Sequence, residues 1–369
     1  MKRLTFILII ILSLYTARVG AQCVGVGPNE TICLNTASSP LGGSLLNSAT
    51  TAVWSADVTG GTFSNVNDLN ATWTPPTGFT GTATLTLTAT AGCLSTPDSK
   101  SLTINVLPIP SASISGTISV CQNSTSPDIT FTNPQGLQET ITYNINGANQ
   151  TIISVAANSS TTVAVPTSSS GVFSYNLESA AYSTTPLCSI TLSGTATVTV
   201  NPGIPNVPGA ITGTTAVCPA LTGQIYSINT VANATTYNWS VPAGWVITAG
   251  EGTTSVTVTS GLSGQNGNIT VTAGNSCGTS AASSLAVTVN PGTPAVPGVI
   301  TGTTAVCPGL TGQIYSINTV ANATTYNWSV PAGWVITAGE GTTSVTVTSG
   351  SSGQNGNITV TAGNSCGTS

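Results

Sequence analysis

Residues 236–290 read TYNWSVPAGWVITAGEGTTSVTVTSGLSGQNGNITVTAGNSCGTSAASSLAVTVN. Apolar and hydroxylated side chains alternate through this stretch in short bursts. Ser255–Thr259 (SVTVT) puts Val256 and Val258 on one face and threonines on the other. Asn268–Ala273 (NITVTA) does the same with Ile269 and Val271, and Leu285, Val287 and Val289 repeat it once more. A period of two is the signature of a strand with one buried face. Thr236–Val241 (TYNWSV) adds Tyr237, Trp239 and Val241, and Gln224–Asn229 (QIYSIN) precedes it as a further strand. The runs between them, VPAG, AGEG and SGQNGN, are rich in the residues that favour turns. Short strands at this spacing predict a β-sandwich.

The unit is repeated. Residues 205–280 and 294–369 align without a gap at a period of 89, differing at Asn206/Ala295, Ala210/Val299, Ala220/Gly309 and Leu262/Ser351. Solenoid repeats run to 20–50 residues, whereas 89 suits a sandwich that folds as its own domain. The N-terminal half follows the same plan with different sequences. Its strands include Ala83–Ala89 (ATLTLTA) and Leu102, Ile104 and Val106, then Ile141–Ile145, Val172–Leu177 and Ala196–Val200. The joints are proline-rich: 107–112 (LPIPSA), 201–209 (NPGIPNVPG) and 290–298 (NPGTPAVPG). Proline fixes φ and interrupts a ladder, so these segments end one sheet and stiffen the passage to the next. The expected organisation is therefore an all-β, rod-like array of sandwiches at 22–107, 108–201, 202–290 and 291–369. The last of these stops before a counterpart of residues 281–290, as expected for a piece of a longer protein.

Residues 1–21 read as an export signal. Lys2 and Arg3 precede the apolar run Leu4 to Leu14, and Val19, Gly20 and Ala21 are small residues for cleavage. That run is shorter than the ~20 residues a bilayer span needs, so no membrane insertion is expected once the signal is removed. Removal also takes three of the four basic residues, leaving Lys100 against nine carboxylates, a net charge of −8. One cation cannot neutralise a row of phosphates, which excludes nucleic acid as a partner. The expected location is secreted or cell-surface, and the export machinery is an expected partner. There is no histidine to serve a Ser or Thr nucleophile as base. No catalytic residue, cofactor or metal site is expected: Asp57, Asp68 and Asp98 match no calcium loop, and Glu251 and Glu340 stand alone in AGEGTT turns.

Nine cysteines in an exported chain point to disulfides. Cys23 aside, they come two per block, as Cys33 and Cys93, Cys121 and Cys188, Cys218 and Cys277, Cys307 and Cys366. This spacing suggests one bond inside each block, with Cys23 free or paired in trans. A strict seven-strand sandwich would nevertheless place the two cysteines at opposite ends. Either the first strand kinks, or the cysteines bond between neighbouring domains.

The pattern ITGTTAVCPALTGQIYS, ATTYNWSVPAGWVITAGEGTTSVTVTSG, GNITVTAGNSCGTSAASSLAVTVNP resembles the PKD-like, immunoglobulin-like repeats of large secreted and surface proteins of Bacteroidota. The resemblance is strong over 205–369 and looser in the first two blocks. It implies tandem immunoglobulin-like sandwiches, outer-membrane export of the type IX kind, and spacer or binding modules rather than an enzyme. The leading reading is an adhesin-like stalk with multivalent binding of a surface polysaccharide or protein ligand. The alternative is a carbohydrate-binding accessory region of a larger secreted enzyme. Trp239, Trp328, Trp54 and Trp73 are expected in cores. Trp245 and Trp334 follow VPAG turns and are expected to cover one end of their own cores, the alternative being an exposed ring that stacks on a sugar face.

Overall fold

The computed structural model describes residues 22–93 and 98–369. The export signal read at residues 1–21 lies outside the described residues. Within them the chain is built from strands, turns and irregular segments without a helix, and no helix is long and apolar enough to cross a membrane. It divides into two compact units. One comprises the described chain up to Val120 with Ser124–Thr167 and Gly171–Val200; the other comprises Cys121–Asn123, Ser168–Ser170 and Asn201–Ser369.

In the second unit, the first repeat copy gives the plainest sandwich. One sheet runs in the order Ala216–Val217, Ser283–Val289, Gly267–Asn275, Thr236–Ser240, and the other in the order Gln224–Ser227, Ser255–Thr259, Val246–Ala249. The register sets Trp239 opposite Val271 and Tyr237 opposite Ala273. Alternation then sends Tyr226, Val256 and Val258 from one sheet, and Trp239, Ile269, Val271, Val287 and Val289 from the other, into one core. The threonines between them face outward. The first strand is parallel to the last, Val217 lying beside Val289.

The next copy repeats both sheets, with Gln313–Ser316, Ser344–Thr348 and Val335–Ala338 in one and Thr325–Ser329, Thr359–Asn364 and Gly367–Thr368 in the other. Its core holds Tyr315, Trp328, Val345 and Val347. The short strand Val246–Ala249 escapes sequence reading because it is mostly exposed and its register shifts between Ile247 and Ala249.

The first unit holds two further cores. One gathers Trp54, Trp73, Leu85, Leu87, Ile104 and Val106, over a sheet ordered Glu30–Cys33, Ser99–Leu107, Gly81–Ala91, Thr51–Ala56. Here too the first sheet strand is parallel to the last, Cys33 beside Leu107. The other gathers Phe131, Ile141, Tyr143, Tyr175, Leu177 and Val198. Phe131 and Tyr143 meet with ring centroids 4.8 Å apart.

Asn133 is fully buried beside this last core. Its amide nitrogen donates to the carbonyls of Leu137 (2.8 Å), Ala156 (3.1 Å) and Val155 (3.2 Å), and its oxygen accepts from the Gln135 amide (2.8 Å). One side chain thus closes the turn after Asp128–Asn133 and ties it to the segment after Ile153–Val155. Asn133→Ala leaves several buried backbone groups without this partner, and is expected to lower unfolding free energy by about 2–4 kcal/mol in urea titration.

Candidate functional site

Four disulfides dominate the chemistry of the chain, and their pairing corrects the one-per-block expectation. Cys23 bonds Cys93, Cys33 bonds Cys188, Cys121 bonds Cys277 and Cys218 bonds Cys366. Cys307 is a free, exposed thiol. Cys33–Cys93, Cys121–Cys188, Cys218–Cys277 and Cys307–Cys366 therefore do not form. Cys23, expected free or paired in trans, is bonded within its own block.

The physical reason is strand direction. In the blocks of Cys33 and Cys218 the first cysteine ends or follows the first sheet strand, which runs parallel to the last strand. It therefore lies at the end where the last strand finishes. The second cysteine lies in the turn that precedes the last strand. Cys277 sits between Gly267–Asn275 and Gly278–Thr279, and Cys366 between Thr359–Asn364 and Gly367–Thr368. The two are separated by the length of the seven-residue Ser283–Val289 strand, roughly 23 Å at 3.3 Å per residue. A disulfide needs Cα atoms about 4.4–6.8 Å apart. Separations of 5.5–5.7 Å are reached by pairing the first cysteine of one block with the second of the next. This is the between-neighbours option that the sandwich geometry leaves open.

The hairpin carrying the second cysteine is shaped by its own sequence, Asn-Ser-Cys-Gly. Asn275 Oδ1 accepts from the Cys277 amide, and Asn364 Oδ1 accepts from the Cys366 amide, both at 2.8 Å. The amide nitrogens of these asparagines hold the proline-rich joints: Asn275 donates to Gly203 O at 2.8 Å and Asn364 to Gly292 O at 2.7 Å. Gly278 and Gly367 take φ of 144° and 143°, and a side chain there would collide with Ile204 or Thr293 of the joint.

Cys23, Cys93 and Asp98 are the cluster of cysteine, histidine and acidic residues close enough to hold a metal among the described residues. Its two sulfurs are joined to each other, and Asp98 accepts the backbone amides of Cys23 and Val24. The cluster anchors the start of the chain and offers no thiolate. Asp57 accepts from the Thr84 amide and Asp68 from the Asn70 amide, so these carboxylates are engaged locally.

The two rings that follow VPAG turns differ in burial. Trp245 is 5% exposed, packs against Tyr226 and donates its indole N–H to Gln265 O at 2.9 Å. Its face is inside the core, as the core-covering reading expects, and the sugar-stacking alternative does not hold for this ring. Trp334 makes the matching contacts with Tyr315 and Gln354 O and is half-buried. It lines an open cavity of about 940 Å³ with Val306, Cys307, Tyr315 and Ile358. Trp239 and Trp328 are core residues as expected, each donating to the carbonyl of a threonine in the AGEGTT turn.

Glu139 was not singled out by sequence, since nothing marks it as buried. It is fully inside, with Oε1 accepting from the Ser111 amide (3.1 Å) and Oε2 unpartnered. Burial lifts its carboxyl above the ordinary 4.5, and the Ser111 bond opposes this. Tyr182, paired with it in register, is raised by burial and by the Glu139 charge.

Two outcomes follow from this geometry. A protease site placed in the 290–298 joint should, once cut, leave the two fragments covalently joined on a non-reducing gel. Cys366→Ser should release them without reductant. At Glu139 the folded state holds its proton more tightly than the unfolded chain, so this group favours folding at acidic pH. That contribution is lost as pH rises from about 4.5 through the raised folded value. Glu139→Gln should therefore melt higher than the parent at pH 7, with the difference shrinking as melting is repeated toward pH 4.5.

No curated protein matches the sequence. Among solved structures, the I-band fragment I67–I69 of titin aligns with 72% of this chain and 98% of its own, at 12% identity and a TM-score of 0.44. The D1–D4 ectodomain fragment of ICAM-5 aligns with 92% and 94%, again at 12% identity and 0.44. Across its described residues the chain is an all-β tandem of sandwiches. Residues 204–287 and 293–369 match the family model described as PKD-like domain.

Proposed function

We propose that the chain is a non-catalytic, exported stalk that holds other parts of a surface or secreted protein at a distance. The Bacteroidota-type, type IX-exported surface protein suggested by the repeat sequence is the setting we infer. The observation that carries the reading is the disulfide pairing, which places covalent links between successive sequence blocks at each step. Bonds of that kind do little for the interior of one sandwich. They restrict movement at a joint, which is useful in a spacer. The near-identity of residues 205–280 and 294–369 supports the same role, since duplication adds reach and valency without creating new chemistry. The accessory-region alternative loses support from the burial of Trp245.

Small-angle scattering tests the reading directly. A compact globule of this length would have a radius of gyration of about 20 Å. A stalk is expected to give at least twice that, and deleting residues 202–290 should shorten the particle by one module. A value near 20 Å would overturn the proposal.

A further inference from the structure

The cysteines fall into two series. Cys23, Cys33, Cys121 and Cys218 each bond one member of the turn series Cys93, Cys188, Cys277 and Cys366, taken in order. Cys307 is the fifth member of the first series and is unbonded and exposed. Its local sequence, ITGTTAVCPGLTGQ, differs from that around Cys218 only at Gly309, where the earlier copy has Ala220.

The backbone from the cysteine onward is held as it is from Cys218, Gly309 N donating to Gly350 O as Ala220 N does to Gly261 O, both at 3.0 Å. Ser260 Oγ donates to Cys218 O at 2.6 Å and accepts from the Leu221 amide at 2.8 Å. Ser349 Oγ donates to Cys307 O at 2.7 Å and accepts from the Leu310 amide at 2.9 Å. Both serines are buried. The same serine clamp thus holds the cysteine segment with and without a sulfur partner. In the earlier copy, that clamped cysteine receives the Asn-Ser-Cys-Gly hairpin of the module that follows, and Cys218 Sγ lies 3.9 Å from Ser365 O of that hairpin.

We propose that Cys307 is a covalent docking site for a further PKD-like module, which presents its Asn-Ser-Cys-Gly hairpin and its preceding proline-rich joint as Cys366 and residues 290–298 do to Cys218. The partner is defined by that hairpin, with the asparagine shaping the turn and bonding the joint, and the glycine admitting it closely. The bond forms by exchange with a small disulfide such as oxidised glutathione. The Cys307 thiolate attacks it and releases one glutathione thiol. The hairpin thiolate then attacks the mixed disulfide at the Cys307 sulfur and releases the second. Two protein thiols are oxidised, one glutathione disulfide is reduced to two thiols, and each protein proton passes to a departing thiolate. This site does not depend on the stalk role, since docking could occur in a chain of any overall shape.

The test extends the full chain with a second copy of residues 281–369 after Ser369, its hairpin serine changed to alanine so that its peptide is distinguishable by mass. After refolding in a glutathione buffer, non-reducing digestion should recover the Cys307 peptide joined to the altered hairpin. One thiol per chain should remain, on the first cysteine of the added copy. The Cys307→Ser form of the extended chain should carry two thiols. In the original chain Cys307 should react readily with iodoacetamide, and in the extended chain it should not. Cys307 still alkylated in the extended chain, or joined to Cys366, would overturn the proposal. Normal pairing of Cys218 with Cys366 in the same digest shows that the parent modules have folded.

Discussion

The parallel pairing of a first strand with the last strand of its own sheet governs much of this molecule. It brings Val217 beside Val289 and Cys33 beside Leu107, and so places the cysteine after the first strand at the exit end of the sandwich. The turn that carries the second cysteine is at the entry end. No rotamer can close a gap of a full strand length, so each sulfur must find its partner in a neighbouring sequence block. The first block solves the same problem differently. Cys23, drawn in by the Asp98 carboxylate, bonds Cys93 and takes the place that a preceding block's cysteine has elsewhere.

The second recurring device is the use of neutral polar groups where charged ones are scarce. With four basic residues in the whole sequence, loops are held by amides, hydroxyls and indoles bonded to backbone carbonyls. Asn133, Asn275, Asn364, Ser260, Trp239 and Trp245 all work this way. Each satisfies a buried backbone group that a turn would otherwise leave unpaired. Such bonds are little affected by salt or by pH near neutrality, and Glu139 is the buried acidic exception.

Much of this could be read from the sequence because a strand's side chains alternate with period two. SVTVT and NITVTA announce their inward residues, and Val256, Val258, Ile269 and Val271 are indeed buried. What the pattern does not carry is direction and partner. Whether the strand before Cys218 runs with or against its neighbour is a property of the whole sheet, and the sulfur pairing follows from that. The exposure of Trp245 was similarly beyond local reading, because a VPAG turn can point an indole outward or fold it back to a carbonyl twenty residues away. Val246–Ala249 went unseen since a short, exposed edge strand has almost no apolar face to show.

The overlapping sulfur bridges also set how the chain bears tension. From Cys33 a pull passes to Cys188, along 30 residues of backbone to Cys218, and across to Cys366. At about 3.3–3.6 Å per residue that route reaches roughly 120 Å at most. The 333 residues separating Cys33 from Cys366 along the sequence would otherwise stretch to about 1,100 Å. While the bridges last, load bypasses most of the sheet structure, and melting a sandwich cannot lengthen this route past that limit. A reducing environment would turn the same polypeptide from a strap of bounded reach into a yielding one.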